Sequence, residues 1–175
     1  MKDSSTPRHI PGITDFQPPS VKSLQRMLRV ANAWFSPLFL GLDKRDLSKP
    51  ALWVGNHTLY GLFDVPLLVE YLYREQGVFV RGLGDRAHFA VPGWSQLLVR
   101  AGMLLGTPQN CAALMQSGQH VLVFPGGGRE VMRRKGEDYQ LIWKSRGGFC
   151  TPGHRARLRH HSLWCTWRRR EFRHS

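Results

Sequence analysis

The sequence is short of cysteines, of acidic residues and of long apolar runs, and each shortage excludes a class of protein. Its three cysteines, Cys111, Cys150 and Cys165, are odd in number and have no paired spacing. That excludes a disulfide framework and predicts reduced thiols in a cytosolic setting. No uninterrupted apolar stretch approaches the ~20 residues that cross a bilayer, so any membrane contact is expected to be peripheral. The opening Met1-Lys2-Asp3-Ser4-Ser5-Thr6-Pro7 lacks the apolar centre of a signal peptide. No serine sits in a Gly-x-Ser-x-Gly elbow, which leaves a serine hydrolase without its nucleophile. A Walker loop and a dinucleotide fingerprint are both missing. Acidic residues number 12 against 25 Lys and Arg, a net charge of +13. The excess is uneven, with +6 over residues 1–144 and +7 over residues 145–175. A moderately basic body suits an anionic membrane surface or a phosphate-bearing substrate.

What is present divides into four stretches. Residues 1–20, rich in Pro and Ser, predict a flexible leader. Across 21–40, Val21, Leu24, Met27, Leu28, Ala31, Trp34, Phe35 and Leu38 recur at helical spacing, with Lys22, Arg26 and Arg29 between them. This predicts an amphipathic helix that either lies in a membrane interface or packs on the domain's own core. Pro37 is expected to kink or end it. Residues 41–149 hold the chemistry, and 150–175 form a basic tail.

Within 41–149, strands are expected at 51–54, 78–80, 103–105 and 120–124. Helices are expected at 66–74, 93–101 and 108–117, with Gly77 and Gly118 as stops. Alternation of strands and helices predicts an α/β fold with a mostly parallel central sheet flanked by helices. Such sheets bind ligands just past the carboxyl ends of their strands. Three polar segments are placed there: one around His57, one from Arg81 to Phe89, and one from Phe124 to Glu130.

His57 ionises near neutral pH, so it can take a proton from an alcohol attacking a thioester. A carboxylate on its other ring nitrogen would hold the tautomer, and Asp64 is the nearest in sequence. One continuous helix over 57–64 would separate the two by ~10.5 Å along its axis, so a direct bond needs a turn, which Gly61 permits. Asp64 can equally cap the helix after Pro66. In the third segment, Gly126, Gly127 and Gly128 let a backbone approach a ligand closely, and Arg129 offers a planar fork for a phosphate or carboxylate. Glu130 is placed to orient Arg129 or a histidine. Arg81 can supply charge to an acyl acceptor. His120 opens a strand and needs no other role.

Two blocks, in this order, resemble a known family. Asn56-His57-Thr58-Leu59-Tyr60-Gly61-Leu62-Phe63-Asp64 is similar to the Asn-His-x-x-x-x-Asp block of the glycerolipid acyltransferases, the lysophosphatidate acyltransferase-like superfamily. Phe124-Pro125-Gly126-Gly127-Gly128-Arg129-Glu130 is similar to their Phe-Pro-Glu-Gly-Thr-Arg block, in a form closest to the diacylglycerol and monoacylglycerol acyltransferases. The resemblance covers roughly residues 20–149. It implies transfer of a fatty acyl group from acyl-CoA or acyl carrier protein to a lipid alcohol, without a cofactor or metal, at the cytoplasmic face of a membrane. It implies His57 as base, and Phe124, Pro125, Gly126, Gly127, Arg129 and Glu130 as acceptor-binding residues. Two departures stand out. The family's Asp follows its His by five residues, where this chain has Leu62, and the family's Glu is Gly126 here.

The tail departs further. Family members continue with more strands, whereas residues 150–175 are rich in Arg, His and Trp and have no amphipathic period. A frameshift near codon 150 is expected, leaving an unstructured end and an unpaired sheet edge, and the other reading frames of the coding DNA test it. Cys150, His154, His160, His161 and Cys165 match no zinc spacing, so no metal is expected. A non-catalytic basic protein binding nucleic acid or anionic membrane through this tail is the competing reading, and an inactive acyltransferase fragment is a third. For an acyltransferase no nucleic-acid partner is expected.

Overall fold

In the computed structural model, residues 12–42, 46–55, 61–127 and 159–163 are described, with 61–63 and 159–163 as backbone only. Helix α1 (Val21–Phe35) precedes strand β1 (Ala51–Gly55). Then come α2 (Gly61–Gln76), β2 (Val80–Gly84), α3 (Arg86–Phe89), α4 (Trp94–Arg100), β3 (Leu104–Leu105), α5 (Pro108–Gln116), β4 (His120–Val123) and β5 (Arg159–Leu163). The strands form one sheet in the order β3-β2-β4-β1-β5, and every pair is parallel. The α/β architecture expected from the sequence is the one observed.

Strand alternation sorts the core onto two faces. Leu52, Val54, Val121 and Val123 meet Cys111, Leu114 and Met115 of α5 on one side. Trp53, Val80 and Leu122 meet Leu68 and Leu72 of α2 on the other. Ala51, Leu52 and Trp53 are completely shielded from solvent, which explains why β1 reads as a continuous apolar run and not an alternating one.

Three expectations are corrected. The strand expected at 78–80 lies at Val80–Gly84, so Arg81, Gly82 and Gly84 belong to the sheet and not to the turn after it. Helix α2 begins at Gly61, five residues before Pro66, and Asp64 sits in its first turn instead of capping it. Pro66 has no N–H to return to the carbonyl four residues earlier, a local loss that the packing of Leu67, Leu68 and Leu72 outweighs.

The leader is shorter than composition suggests. Ile13 is 2% exposed and packs in the α5-side core. Arg81 donates to the Gly12 carbonyl at 2.7 Å, and the Gln119 side chain donates to the Ile13 carbonyl at 2.8 Å. Gly12, Ile13 and Phe16 are therefore held against the body.

Helix α1 is capped by Ser20, whose hydroxyl accepts from the Ser23 amide. It ends at Phe35, with Ser36 left-handed at φ 41° and Pro37 just beyond. Val21, Leu24, Leu28, Ala31 and Phe35 are half-buried, and the helix packs against α2. Beyond it, Phe39 stacks on Tyr71 of α2 at 4.2 Å between ring centroids. Met27, Val30 and Trp34 project outward and are 74%, 75% and 79% exposed.

The tail also differs from expectation. Arg159–Leu163 lies beside β1 in register, with Ala51 opposite Arg159 and Gly55 opposite Leu163, where the composition break predicted an unpaired edge. Backbone pairing needs only an extended segment, whatever its side chains, so a basic stretch can satisfy the N–H and C=O row of β1. The rest of 150–175, with Cys150, His154 and Cys165, lies outside the described residues.

Candidate active site

Two connections leave the carboxyl edge of the sheet side by side. Strands β1 and β4 are parallel neighbours, with Val54 opposite Val123. The segment 56–60 that joins β1 to α2, and the segment that follows β4, therefore start one strand spacing apart, about 4.8 Å. They are the two motif segments, separated by nearly seventy residues in sequence.

The second segment turns at once. The Gly127 amide donates to the Phe124 carbonyl at 3.0 Å, closing a tight turn over Phe124–Gly127. Gly127 has φ +53°, a left-handed conformation that glycine adopts without penalty. Pro125 and Gly126 are buried, and Phe124 is half-buried against the α2-side core.

On the β1 side, Asp64 is half-buried in the first turn of α2. The positive end of the helix dipole favours a carboxylate there. His57 lies outside the described residues, as do Gly128, Arg129 and Glu130. The sheet thus brings the ends of β1 and β4 to one edge, and Asp64 stands in the first turn of α2.

Arg81 is placed elsewhere. It is the second residue of β2 and 1% exposed, and its guanidinium is committed to the fold. It donates to the carbonyls of Gly102 and Gly12 and to Gln119 Oε1. Its Cζ lies 3.8 Å from the centre of the Phe16 ring. Burial pulls its pKa down to about 10, against an opposing pull from Asp15, so it remains charged at neutral pH. The residue read as an acceptor-binding charge holds residues 12–16 against the sheet instead.

The end of β2 carries an element that sequence reasoning treated as loop. Asp85 caps α3, its carboxylate accepting from the Ala87 amide at 3.0 Å. That leaves Arg86 and His88 exposed at the carboxyl edge. An Asp immediately before a short polar and apolar run is a helix-start signal, and it was legible at Asp85. Among the described residues no cluster of His, Cys, Asp and Glu has the grouping of a metal site. No helix among them is long and apolar enough to cross a membrane.

The acyltransferase family profile matches residues 37–151. Phytyl ester synthase 1, chloroplastic, of Arabidopsis thaliana is 31% identical over 160 residues, covering 78% of this chain and 22% of that protein. The Bos taurus protein named DGAT1/2-independent enzyme synthesizing storage lipids is 29% identical over 119 residues, covering 68% of this chain and 35% of its own. Its Homo sapiens namesake is also 29% identical over 119 residues, with 36% of its length covered. The chain thus spans between about a fifth and about a third of the length of these curated relatives. No solved structure matches it.

Proposed function

The chain belongs to the acyltransferase family, and from that membership we propose that it esterifies a lipid alcohol with a fatty acyl group taken from a thioester donor, acyl-CoA or acyl carrier protein. One observation carries the reading. The Asn56-His57 block and the Phe124-Pro125-Gly126-Gly127 block follow adjacent parallel strands at the same edge, with Val54 opposite Val123. Substrate sites of open α/β sheets lie at that edge.

The chemistry then follows. The His57 imidazole takes the proton from the acceptor hydroxyl as its oxygen attacks the thioester carbonyl. The tetrahedral intermediate collapses with cleavage of the C–S bond, and the imidazolium returns the proton to the departing thiolate. A carboxylate, Asp64 or Glu130, steadies the imidazolium. The Phe124–Gly127 turn and Arg129 hold the acceptor. Two relatives are named for a phytyl ester and for storage lipids, which supports a lipid acceptor in preference to a small soluble alcohol.

The reading includes peripheral contact with the cytoplasmic face of a membrane, where such an acceptor resides. The outward stripe Met27, Val30 and Trp34 on α1, flanked by exposed Lys22, Arg26 and Arg29, supports it.

The test is thioester release by the purified chain with lipid alcohols in mixed vesicles. His57→Ala is expected to abolish turnover while the circular dichroism spectrum stays unchanged. Turnover equal to that of the unsubstituted chain would remove His57 from the mechanism. Asp64→Asn and Glu130→Gln are compared by pH profile, and the variant whose acidic limb moves to lower pH identifies the partner of His57.

A further inference from the structure

Helix α2 links β1 to β2, and α3 with α4 links β2 to β3. In the order β3-β2-β4-β1 both crossovers advance the same way, so right-handed connections put them on one face of the sheet. Contacts agree. Val80 packs with Leu68 and Leu72 of α2, and Gly82 and Gly84 alternate onto the same face as Val80. A Cβ on Gly84 would stand 3.0 Å from Phe89 Cε2 of α3, and one on Gly82 would stand 3.3 Å from Met103 Cγ, just past α4. Helix α1 packs against α2, and Phe39 and Leu42 beyond it join the α2-side core. Thus α1, α3 and α4 lie on one side of the sheet, while α5 covers the other.

The outer surface of α3 and α4 is apolar and basic. Val91 and Leu97 are 52% and 54% exposed, too much for residues that serve the core. Leu98 is buried and turns the opposite side of α4 outward, where Leu97 and Arg100, three residues apart, share a face. Arg86 and His88 are exposed on α3. Acids are kept away. No Asp or Glu occurs between Asp85 and Glu130, and the carboxylate of Asp85 is taken up by the Ala87 amide. Residues 16–42, which include α1, also contain none, whereas 43–85 hold six of the twelve. The two acid-free stretches are the ones that carry exposed apolar side chains among arginines.

We propose that the α3–α4 surface is a second contact with an anionic bilayer, so that the chain rests on lipid through α1 and through the crossover from β2 to β3. The inference rests on the peripheral-membrane reading above and adds Arg86, Val91, Leu97 and Arg100 to it. A bilayer is the occupant that fits. It offers anionic headgroups to the arginines and hydrocarbon beneath them to Val91 and Leu97. Because α1 and α4 lie on the same side of the sheet, one lipid surface can meet both. Helix α3 starts directly after β2 ends at the carboxyl edge, so this contact holds the edge of the two motif segments close to the lipid.

The experiment uses the full chain with mixed vesicles of phosphatidylglycerol and phosphatidylcholine. Amide exchange over residues 86–100 is followed first, since it needs no substitution, and should slow at least ~5-fold when vesicles are added. Sedimentation with the vesicles is then compared for Leu97→Glu, Arg86→Glu and Arg100→Glu. The controls are Lys49→Glu, a charge reversal at an exposed residue before β1, and Gln109→Glu, exposed on α5 across the sheet. Thermal melts establish that each variant is folded. Leu97→Glu should weaken binding at least ~10-fold. Each arginine variant should weaken it about 5-fold, and each control less than ~2-fold. Unchanged exchange at 86–100, or binding of Leu97→Glu equal to that of the unsubstituted chain, overturns the second contact, and the α1 reading survives if Trp34→Glu still weakens binding. Loss in Leu97→Glu with none in Trp34→Glu sustains the second contact and removes α1. A chain that does not sediment with the vesicles overturns both. Exchange slowed at 86–100 by an acidic acyl carrier protein and not by vesicles overturns the bilayer as occupant.

Discussion

Val54 and Val123 face each other across β1 and β4 in the last register pair of their strands. Both side chains pack into the α5-side core, where each is 7% exposed. That pair fixes how far each strand advances before its motif segment begins. A one-residue slip of either strand would turn its valine to the opposite face, so the register is strongly enforced. Core packing thus sets the ends of β1 and β4, the strands that precede the two motif segments in sequence, at one edge of the sheet.

Gly127 is the first position where this arrangement should prove sensitive. Its φ of +53° suits glycine and penalises a residue with a Cβ. Gly127→Ala should cost about 1 kcal/mol of stability, read from urea denaturation. Gly127→Asn should lose less, since a short polar side chain tolerates the left-handed region better. If the turn serves the acceptor, kcat/KM for the acceptor alcohol should fall in the same order. Equal melting of all three proteins would show that the turn is not held in this conformation.

Arg81 carries a stability prediction and not a catalytic one. Arg81→Met keeps an apolar stem but leaves the Gly12 and Gly102 carbonyls and Gln119 without their charged donor. Buried acceptors that lose such partners are expensive, and the loss should reach about 3 kcal/mol. Amide exchange should rise first over residues 12–16, the stretch that the guanidinium retains. Arg81→Lys should rescue only part, because one ammonium cannot reach three acceptors in the planar fork geometry. Full stability in Arg81→Met would contradict the network.

The same residues show where sequence reasoning reached and where it stopped. Strand β1 was legible because four buried residues in a row have no helical period, and α5 was legible because Pro108 and Gly118 bracket it. Strand β2 was misplaced because Arg81, Gly82 and Gly84 carry every local sign of a turn. Only tertiary contacts reverse that reading, a distant carbonyl trio for the arginine and two overlying side chains for the glycines. Ile13 was missed for a related reason, since Ile10, Ile13 and Phe16 are too few among the prolines of 1–20 to establish a period. The adjacency of the two motif segments was legible as order along the chain. Their shared edge needed the crossover that inserts β4 between β1 and β2.

Helix α1 offers a surface prediction. Trp34 is 79% exposed, so Trp34→Glu should leave stability within about 0.5 kcal/mol. On vesicles of phosphatidylglycerol and phosphatidylcholine, the same change should weaken sedimentation with lipid at least ~10-fold. Arg26→Glu and Arg29→Glu should each weaken binding about 5-fold on the anionic vesicles and leave pure phosphatidylcholine unaffected. Binding of Trp34→Glu equal to that of the unsubstituted chain would take α1 out of the membrane contact.

His120 links the fold to pH. It begins β4, is 7% exposed, and accepts a hydrogen bond at Nδ1 from Trp53 Nε1 at 3.3 Å. Burial lowers its pKa below the ordinary histidine value, and a bond to the Leu47 backbone offsets part of that. The folded chain therefore holds a neutral imidazole, and Nδ1 can accept only in that form. Between the lowered folded pKa and the unfolded value near 6.5, the unfolded chain binds more protons, so stability rises with pH across that window. The contribution is complete above about pH 6.5, declines as pH falls toward the folded pKa, and changes no further below it. His120→Gln keeps an acceptor for Trp53 but cannot titrate, so subtracting its urea midpoints from those of the unsubstituted chain between pH 5 and 8 isolates this one group. The difference should bend downward below about pH 6.5, and a flat difference would mean that His120 titrates alike in the folded and unfolded chains.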